Sequence, residues 1–274
     1  MKFALMTGAT GGLGQHCVRR MAGSGRWTVF AAGTNRQKLA EFSCMPNVIP
    51  IEVNITDPAA VESAHELIKN HCGQLDAVIN LAGQTAFGSA VEGDPAGQAE
   101  HLLQVNVLGM IRINSVFFDL IRRPGGRVIN CSSETGWMTA QPFATPYVLS
   151  KRAVEGYNDC LRRELMFLGI AVIKIQPGTF QTGLTGRICQ DYQATLESTR
   201  YSKALLTRLQ PLMLHELRHN PDPDRLARTV MKALETRRPK IRYRVATGWL
   251  LLMLELLPEK GVDLLYRLLF KIRR

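Results

Sequence analysis

No two of the six cysteines in this 274-residue chain form a CxxC pair. Cys17, Cys44, Cys72, Cys131, Cys160 and Cys189 stand singly, with neither zinc-site spacing nor the pattern of a disulfide framework, which points to a reducing compartment. The six histidines also lack ligand spacing, so no metal is expected and most are read as surface residues. No apolar run reaches the roughly 20 residues that a bilayer-spanning helix needs. No leader is apparent before the first strand, which begins almost at Met1, so the cytoplasm is the expected location. Internal repeats and low-complexity tracts are missing as well. Acid is in short supply: 23 Asp and Glu stand against 34 Lys and Arg, giving a net charge of +11. The basic residues lack interleaved aromatics and no nucleic-acid motif accompanies them, so no nucleic-acid partner is expected.

What is present is an ordinary globular composition, 46% hydrophobic and 21% charged, enough for one elaborated domain over residues 1–274. Strand patterns at residues 2–6, 27–32, 48–53, 76–81, 127–131 and 170–175 alternate with helical ones. The helices are expected at about 13–22, 36–42, 98–121 and 147–167, with another opened by Asp57-Pro58 as N-cap and first-turn proline. Strands of five or six residues alternating with helices predict βαβ units, hence an α/β fold with a doubly wound parallel sheet. From about 179 to 220 the pattern weakens, as in a lid over a substrate site. A helical extension at about 245–274 closes the chain, with apolar stretches at 249–257 and 262–272 among Arg237, Arg238, Lys240, Arg242, Arg244, Arg267, Lys271, Arg273 and Arg274. A basic, amphipathic end of this kind reads either as a membrane-surface anchor or as a helix pair packed on the body or on another subunit.

The first strand runs into Thr7-Gly8-Ala9-Thr10-Gly11-Gly12-Leu13-Gly14, which opens a helix. Glycines in that setting permit a tight turn and let the backbone approach a pyrophosphate seated on the helix N-terminus. The loop fits both TGxxxGxG and TGxxGxxG. Further on, Tyr147 and Lys151 stand four apart, on one face of a helix and one turn from each other. An ammonium there favours the phenolate, and such a tyrosine can exchange a proton with an alcohol or carbonyl oxygen.

These motifs, in this order, resemble the short-chain dehydrogenase/reductase family over nearly the whole chain, with similarity to its steroid and retinol dehydrogenase members. The resemblance implies a Rossmann-type fold and selects the TGxxxGxG reading, with Gly8, Thr10, Gly11, Gly12, Leu13 and Gly14 at the cofactor. Asn80-Leu81-Ala82-Gly83 resembles the NxAG turn, Asn106 the mid-helix asparagine, and Pro177-Gly178 with Thr182 the segment beside the nicotinamide. It implies catalytic roles for Asn106, Ser133, Tyr147 and Lys151: Tyr147 as general acid/base, Lys151 lowering its pKa and binding the ribose, a serine holding the substrate oxygen, Asn106 supporting a water path. The family usually places that serine thirteen residues before the tyrosine, where Glu134 stands here. Ser133 fits if the loop is one residue longer, and Ser132 is the fallback.

The end of the second strand, Ala31 to Arg36, carries no acidic residue. With Gly33, Thr34, Asn35 and Arg36 in its place, a 2′-phosphate is tolerated and NADP(H) is favoured, NAD remaining open. Asn54 occupies the place of the adenine-contacting aspartate, with Ile55 beside the ring. The expected reaction interconverts an alcohol and a carbonyl. Phe180, Leu184, Ile188, Tyr192, Leu196, Leu205, Leu206, Leu212, Met213 and Leu214 suggest an apolar substrate, and residues 211–217 are a candidate wall for it. A homodimer or homotetramer follows from the family habit of pairing the helices around Asn106 and Tyr147. An NADP(H)-sensing module without catalysis and a sugar-nucleotide epimerase or dehydratase are the alternative readings.

Overall fold

The computed structural model of the protein describes residues 1–218 and 221–270. Its centre is a seven-stranded parallel sheet. In chain order the strands are β1 (Lys2–Thr7), β2 (Trp27–Gly33), β3 (Val48–Glu52), β4 (Ala77–Asn80), β5 (Arg127–Cys131), β6 (Ala171–Pro177) and β7 (Arg242–Val245), and in space they run β3-β2-β1-β4-β5-β6-β7. The first helices are α1 (Gly12–Gly23), α2 (Arg36–Ala40), α3 (Pro58–Cys72), α4 (Pro95–Leu103), α5 (Gly109–Val116) and α6 (Phe118–Ile121). They are followed by α7 (Thr145–Leu165), α8 (Gly183–Ser198), α9 (Lys203–Arg218), α10 (Asp224–Glu235), α11 (Trp249–Leu254) and α12 (Glu259–Phe270).

Side chains of a strand alternate between faces, and both faces of this sheet are covered, so the strands are apolar throughout. In β1, Ala4 and Met6 join a core with Val18 and Met21 of α1 and Leu226 and Val230 of α10. Leu5 faces the opposite way, among Val61 and Ile68 of α3 and Ile113 of α5. The chain winds outward through β2 and β3, then returns to place β4 on the free side of β1. At that reversal the connections from β1 and β4 diverge and leave a crevice at the carboxyl ends of the strands, the usual binding position in such sheets.

The expected fold class and all six expected strands are present, with boundary differences of one or two residues. The seventh strand was not anticipated. Tyr243 and Val245 point inward and Arg242 and Arg244 outward, so a half-buried edge strand carried the signature of a charged tail. The helix expected at 98–121 is built as α4, α5 and α6, with a π turn at Gln104–Leu108 between the first two. Asp57 caps α3 as expected, accepting from the Ala59 amide at 2.9 Å. His65 departs from the surface reading: it is buried, 2.8 Å from Asp119 through Nε2 and edge-on to Phe117.

Candidate active site

The floor of the crevice is the turn between β1 and α1. Gly8 has φ +70°, and a Cβ built on it would lie 2.5 Å from the Ala82 amide nitrogen; one on Gly14 would lie 2.1 Å from the Gly8 carbonyl oxygen. Only glycine fits at either position, and the backbone is left bare toward the crevice. A cleft of about 390 Å³ opens above it, lined by Gly8, Thr10, Gly11, Gly12, Leu13 and Gly14 on one side. Thr34, Asn54, Ile55, Ala82, Gly83 and Thr182 line the remainder. Thr182 caps α8, accepting from the Leu184 amide at 3.2 Å, and its methyl lies beside Gly12. A bare, glycine-walled cradle on a helix N-terminus fits a dinucleotide pyrophosphate.

Other expected cofactor residues stand differently. Arg36 is outside the cleft lining, an exposed residue at the start of α2 paired to Glu52 at 2.6 Å. Asn35 spends its side chain on capping α2, accepting from the Lys38 amide at 3.0 Å. Lys38, which sequence reasoning passed over, is the basic side chain on the cleft wall. Asn80 is buried behind the wall rather than on it, donating to Asn114 at 2.8 Å and Asn130 at 3.0 Å. The Thr7 hydroxyl beside it accepts from the Ala82 amide, which ties the NxAG turn to β1. Pro177 ends β6, and Gly178 donates to Val245 at 2.8 Å, so the missed strand β7 holds this segment.

On the far side of the crevice, α7 carries Tyr147, Ser150 and Lys151. The Ser133 hydroxyl lies beside the Tyr147 phenol, close enough to lower its pKa. Ser133 itself caps the short turn Glu134–Gly136 by accepting from the Thr135 amide. Ser132 is buried with its hydroxyl unpartnered and faces Gly136, so of the two serines the structure brings Ser133 to the tyrosine. Lys151 lies with Nζ 5.7 Å from the centre of the Tyr147 ring, donating to the Cys131 carbonyl at 3.1 Å. A Cβ on Gly83 would come within 3.5 Å of that Nζ, which places the ammonium against the wall of the dinucleotide cleft. Asn106, inside the π turn, accepts from the Gln84 amide at 2.7 Å and donates to the Gln84 carbonyl and the Ser150 hydroxyl, each at 2.9 Å. Its amide thus ties the turn after β4 to α7. Such π turns collect at functional sites because they change the phase of a helix locally.

Electrostatically the pair differs from the expectation. Burial pushes the Tyr147 phenol above its ordinary value; the neighbouring Ser133 hydroxyl pulls it back, and Cys131 and Glu134 raise it further. Burial also lowers the Lys151 ammonium, against upward pulls from Cys131 and Glu155. Desolvation disfavours both charges, and neither group is among the neighbours that shift the other.

Glu134, next to Ser133, is buried and accepts from the Gly248 amide at 3.2 Å, at the start of α11. Beside it lies a predominantly apolar cavity of about 240 Å³, bounded by Phe87, Tyr192, Leu209, Met213, Leu254 and Tyr266. Tyr192, Leu212 and Met213 of the expected apolar set line it, and Leu212 and Met213 supply the contribution of the stretch 211–217. Phe180 instead joins the core under α1 and α10, and Leu184 turns to the dinucleotide cleft. Of the expected stretch 262–272, residues 271 and 272 lie outside the described residues.

A glycine-floored crevice at a switch point, with a tyrosine–lysine pair on its far side and an apolar cavity near by, is the arrangement of a dinucleotide-dependent oxidoreductase. The chain belongs to the short chain dehydrogenase family, whose model matches residues 2–193. It is 30% identical over 264 residues to "Retinol dehydrogenase 16" of Mus musculus, covering 90% of this chain and 81% of the relative. It is 27% identical to "NADPH-dependent 3-dehydrocapnine reductase" of Ornithobacterium rhinotracheale, covering 97% of this chain and 96% of that one. Among solved structures, a short-chain dehydrogenase from Streptomyces avermitilis superposes with a TM-score of 0.76 at 23% identity, covering 96% of this chain and 91% of that one. The chain is accordingly an NAD(P)-dependent oxidoreductase acting between alcohol and carbonyl.

Proposed function

We propose that the protein uses NADP(H) to interconvert an apolar alcohol and its carbonyl partner, with Tyr147 as general acid/base. The observation that carries this reading is the placing of Ser133 beside the Tyr147 phenol, with Lys151 Nζ against Gly83 of the dinucleotide cleft and Glu134 on the wall of the apolar cavity. The dinucleotide supplies hydride chemistry when bound. Ser133 holds the substrate oxygen, and Tyr147 gives it a proton in reduction and removes one in oxidation. Lys151 holds the ribose side of the cofactor and favours phenolate, while Asn106 braces Gln84 and Ser150 around the proton path. The lid at about 179–220 belongs to the same reading, its residues 219 and 220 lying outside the described residues.

Tyr147→Phe is expected to lower kcat by about three orders of magnitude or more while leaving cofactor affinity within a few-fold. Turnover that survived in this variant would remove the proposed mechanism. For the cofactor, β2 ends without an acidic side chain, Lys38 lines the cleft, and one relative is named as NADPH-dependent. NADPH is therefore expected to bind more tightly than NADH in a fluorescence titration. Lys38→Ala is expected to weaken NADPH by about five- to tenfold and NADH hardly at all, the loss of one exposed phosphate contact. Equal weakening of both would mean that Lys38 does not meet the 2′-phosphate.

Homodimers or homotetramers paired through the α4–α5 and α7 helices belong to the same proposal, supported by the exposed Leu108 and Leu149 beside them. A cytoplasmic location with contact to a membrane surface completes it, supported by the basic C-terminal end.

A further inference from the structure

The face of α7 that bears Tyr147 and Lys151 continues with Glu155 and Asp159, each four positions after the last. Lys174 and Gln176 of β6 meet them from the sheet; spaced two apart, they share one side of the strand. The Lys174 ammonium lies 2.8 Å from Glu155 and 2.9 Å from Asp159. Gln176 donates to the other Glu155 oxygen at 2.9 Å. Lys174 and Gln176 are buried, and the Glu155 side chain is only 14% exposed. The turn Glu134–Gly136 closes over the group, since a Cβ on Gly136 would lie 3.0 Å from the Lys151 carbonyl oxygen and 3.1 Å from Glu155 Cγ.

Stability does not call for charges here. A buried ion pair costs desolvation, and apolar residues of like volume often hold a core as well or better. What the pair adjoins is Lys151, which donates to the Cys131 carbonyl at 3.1 Å and lies against Gly83 of the dinucleotide cleft. The groups facing that ammonium are Cys131 of β5, Tyr147 and Glu155 of α7, and the uncharged Asn106 of the π turn. Glu134, on the turn packed over α7, is among the neighbours that shift the phenol but not among those that shift the ammonium. Burial lowers the ammonium, and Cys131 and Glu155 raise it. Burial also pushes the Cys131 thiol up, so near neutral pH it keeps its proton and brings no charge. That leaves Glu155 as the anion that acts on Lys151.

We propose that Glu155 is a positioning residue for the reaction: fixed by Lys174 and Gln176, its carboxylate keeps Lys151 an ammonium beside the dinucleotide cleft. The inference rests on the reading above in which Lys151 holds the ribose side of the cofactor. A neutral amine in that place would lose its charge and one of its N–H donors together. Lys174 acts at one remove, by holding the carboxylate where its charge is felt.

The test reads the Lys151 proton directly. In the full chain isotope-labelled at lysine Cε, the NMR signal lost in Lys151→Met identifies Lys151, and its position follows pH. Glu155→Gln keeps the shape and the acceptor for Gln176, and Lys174 keeps Asp159 as its ion-pair partner. The substitution should lower the Lys151 midpoint by about one pH unit. An ammonium is lost as pH rises through its midpoint, so the alkaline loss of NADPH affinity should move down by the same amount in a fluorescence titration. In a Lys151→Met background, Glu155→Gln should change NADPH affinity by less than about twofold. Should Glu155→Gln alone not fold, Glu155→Gln with Lys174→Met removes both buried charges and should move the midpoint the same way by less.

An unmoved Lys151 midpoint in the folded variant would overturn the inference. So would an equal loss of NADPH affinity with and without Lys151, since Glu155 would then serve only the fold. In either case, turnover that Tyr147→Phe abolishes leaves the proposed mechanism standing. A native chain that turns over no carbonyl removes that mechanism, whatever the Lys151 titration shows.

Discussion

Glu134 stands one residue past the serine that lies beside the phenol, in the place where the usual family spacing would put the serine itself. Its carboxylate serves the Gly248 amide rather than Tyr147, yet its charge is close enough to raise the phenol. A neighbouring anion disfavours phenolate, so removing that charge while keeping the acceptor should lower the phenol's pKa. Glu134→Gln is therefore expected to move pH–rate profiles to lower pH in both directions of reaction. Oxidation, which needs phenolate, should rise at a lower pH, and reduction, which needs phenol, should decline at a lower pH. Unmoved profiles would show that Glu134 acts only through the start of α11. The cofactor residues show how phase matters at this scale. Arg36 begins α2 and turns to Glu52, whereas Lys38, two residues on, reaches the cleft wall.

At the scale of elements, the turn from β1 into α1 is fixed by its glycines. Gly8→Ala combines a left-handed φ with a clash against the backbone of Ala82, which cannot move aside as a side chain would. The expected cost is about 1–3 kcal/mol, with a Tm lowered by several degrees and weakened cofactor binding. Gly23→Ala meets nothing within 4 Å and should be neutral or mildly stabilising on the same thermal scan. That turn was readable in advance because strand, glycines and helix follow one another directly in sequence. So were six strands and the helix bearing Tyr147, whose apolar periods are unbroken. The π turn was not, since Val105-Asn106-Val107 continues the helical pattern and only a bonded Asn106 reveals the widened turn. Nor was β7, whose two arginines disguise a strand only four residues long. The amide ladder Asn80–Asn114–Asn130–Asn158 joins four separate elements and exists only once they pack.

At the scale of the whole molecule, the C-terminal pair is fastened to the loop that follows Ser133. Glu134 accepts from the Gly248 amide, Thr139 donates to Glu255, and Tyr266 donates to Gln141. Among the described residues, the dinucleotide cleft takes no lining residue from α11 or α12, whereas Leu251, Leu254, Leu265 and Tyr266 all face the apolar cavity. A chain ending at residue 247 should therefore keep its cofactor affinity within a few-fold and raise KM for an apolar substrate by about tenfold or more. Loss of cofactor binding in step with KM would mean that the pair supports the whole fold rather than the cavity. The strand order has a consequence of another kind, in the time before the protein is finished. β1 can pair with β2 once residue 33 has emerged from the ribosome, but its other edge waits for β4, which begins at Ala77. At 5–20 residues per second, the apolar edge of β1 stays bare for roughly 2–9 s of synthesis. The return of the chain that creates the crevice thus leaves every nascent molecule with an open strand edge, the kind of surface that chaperones shield and aggregates exploit.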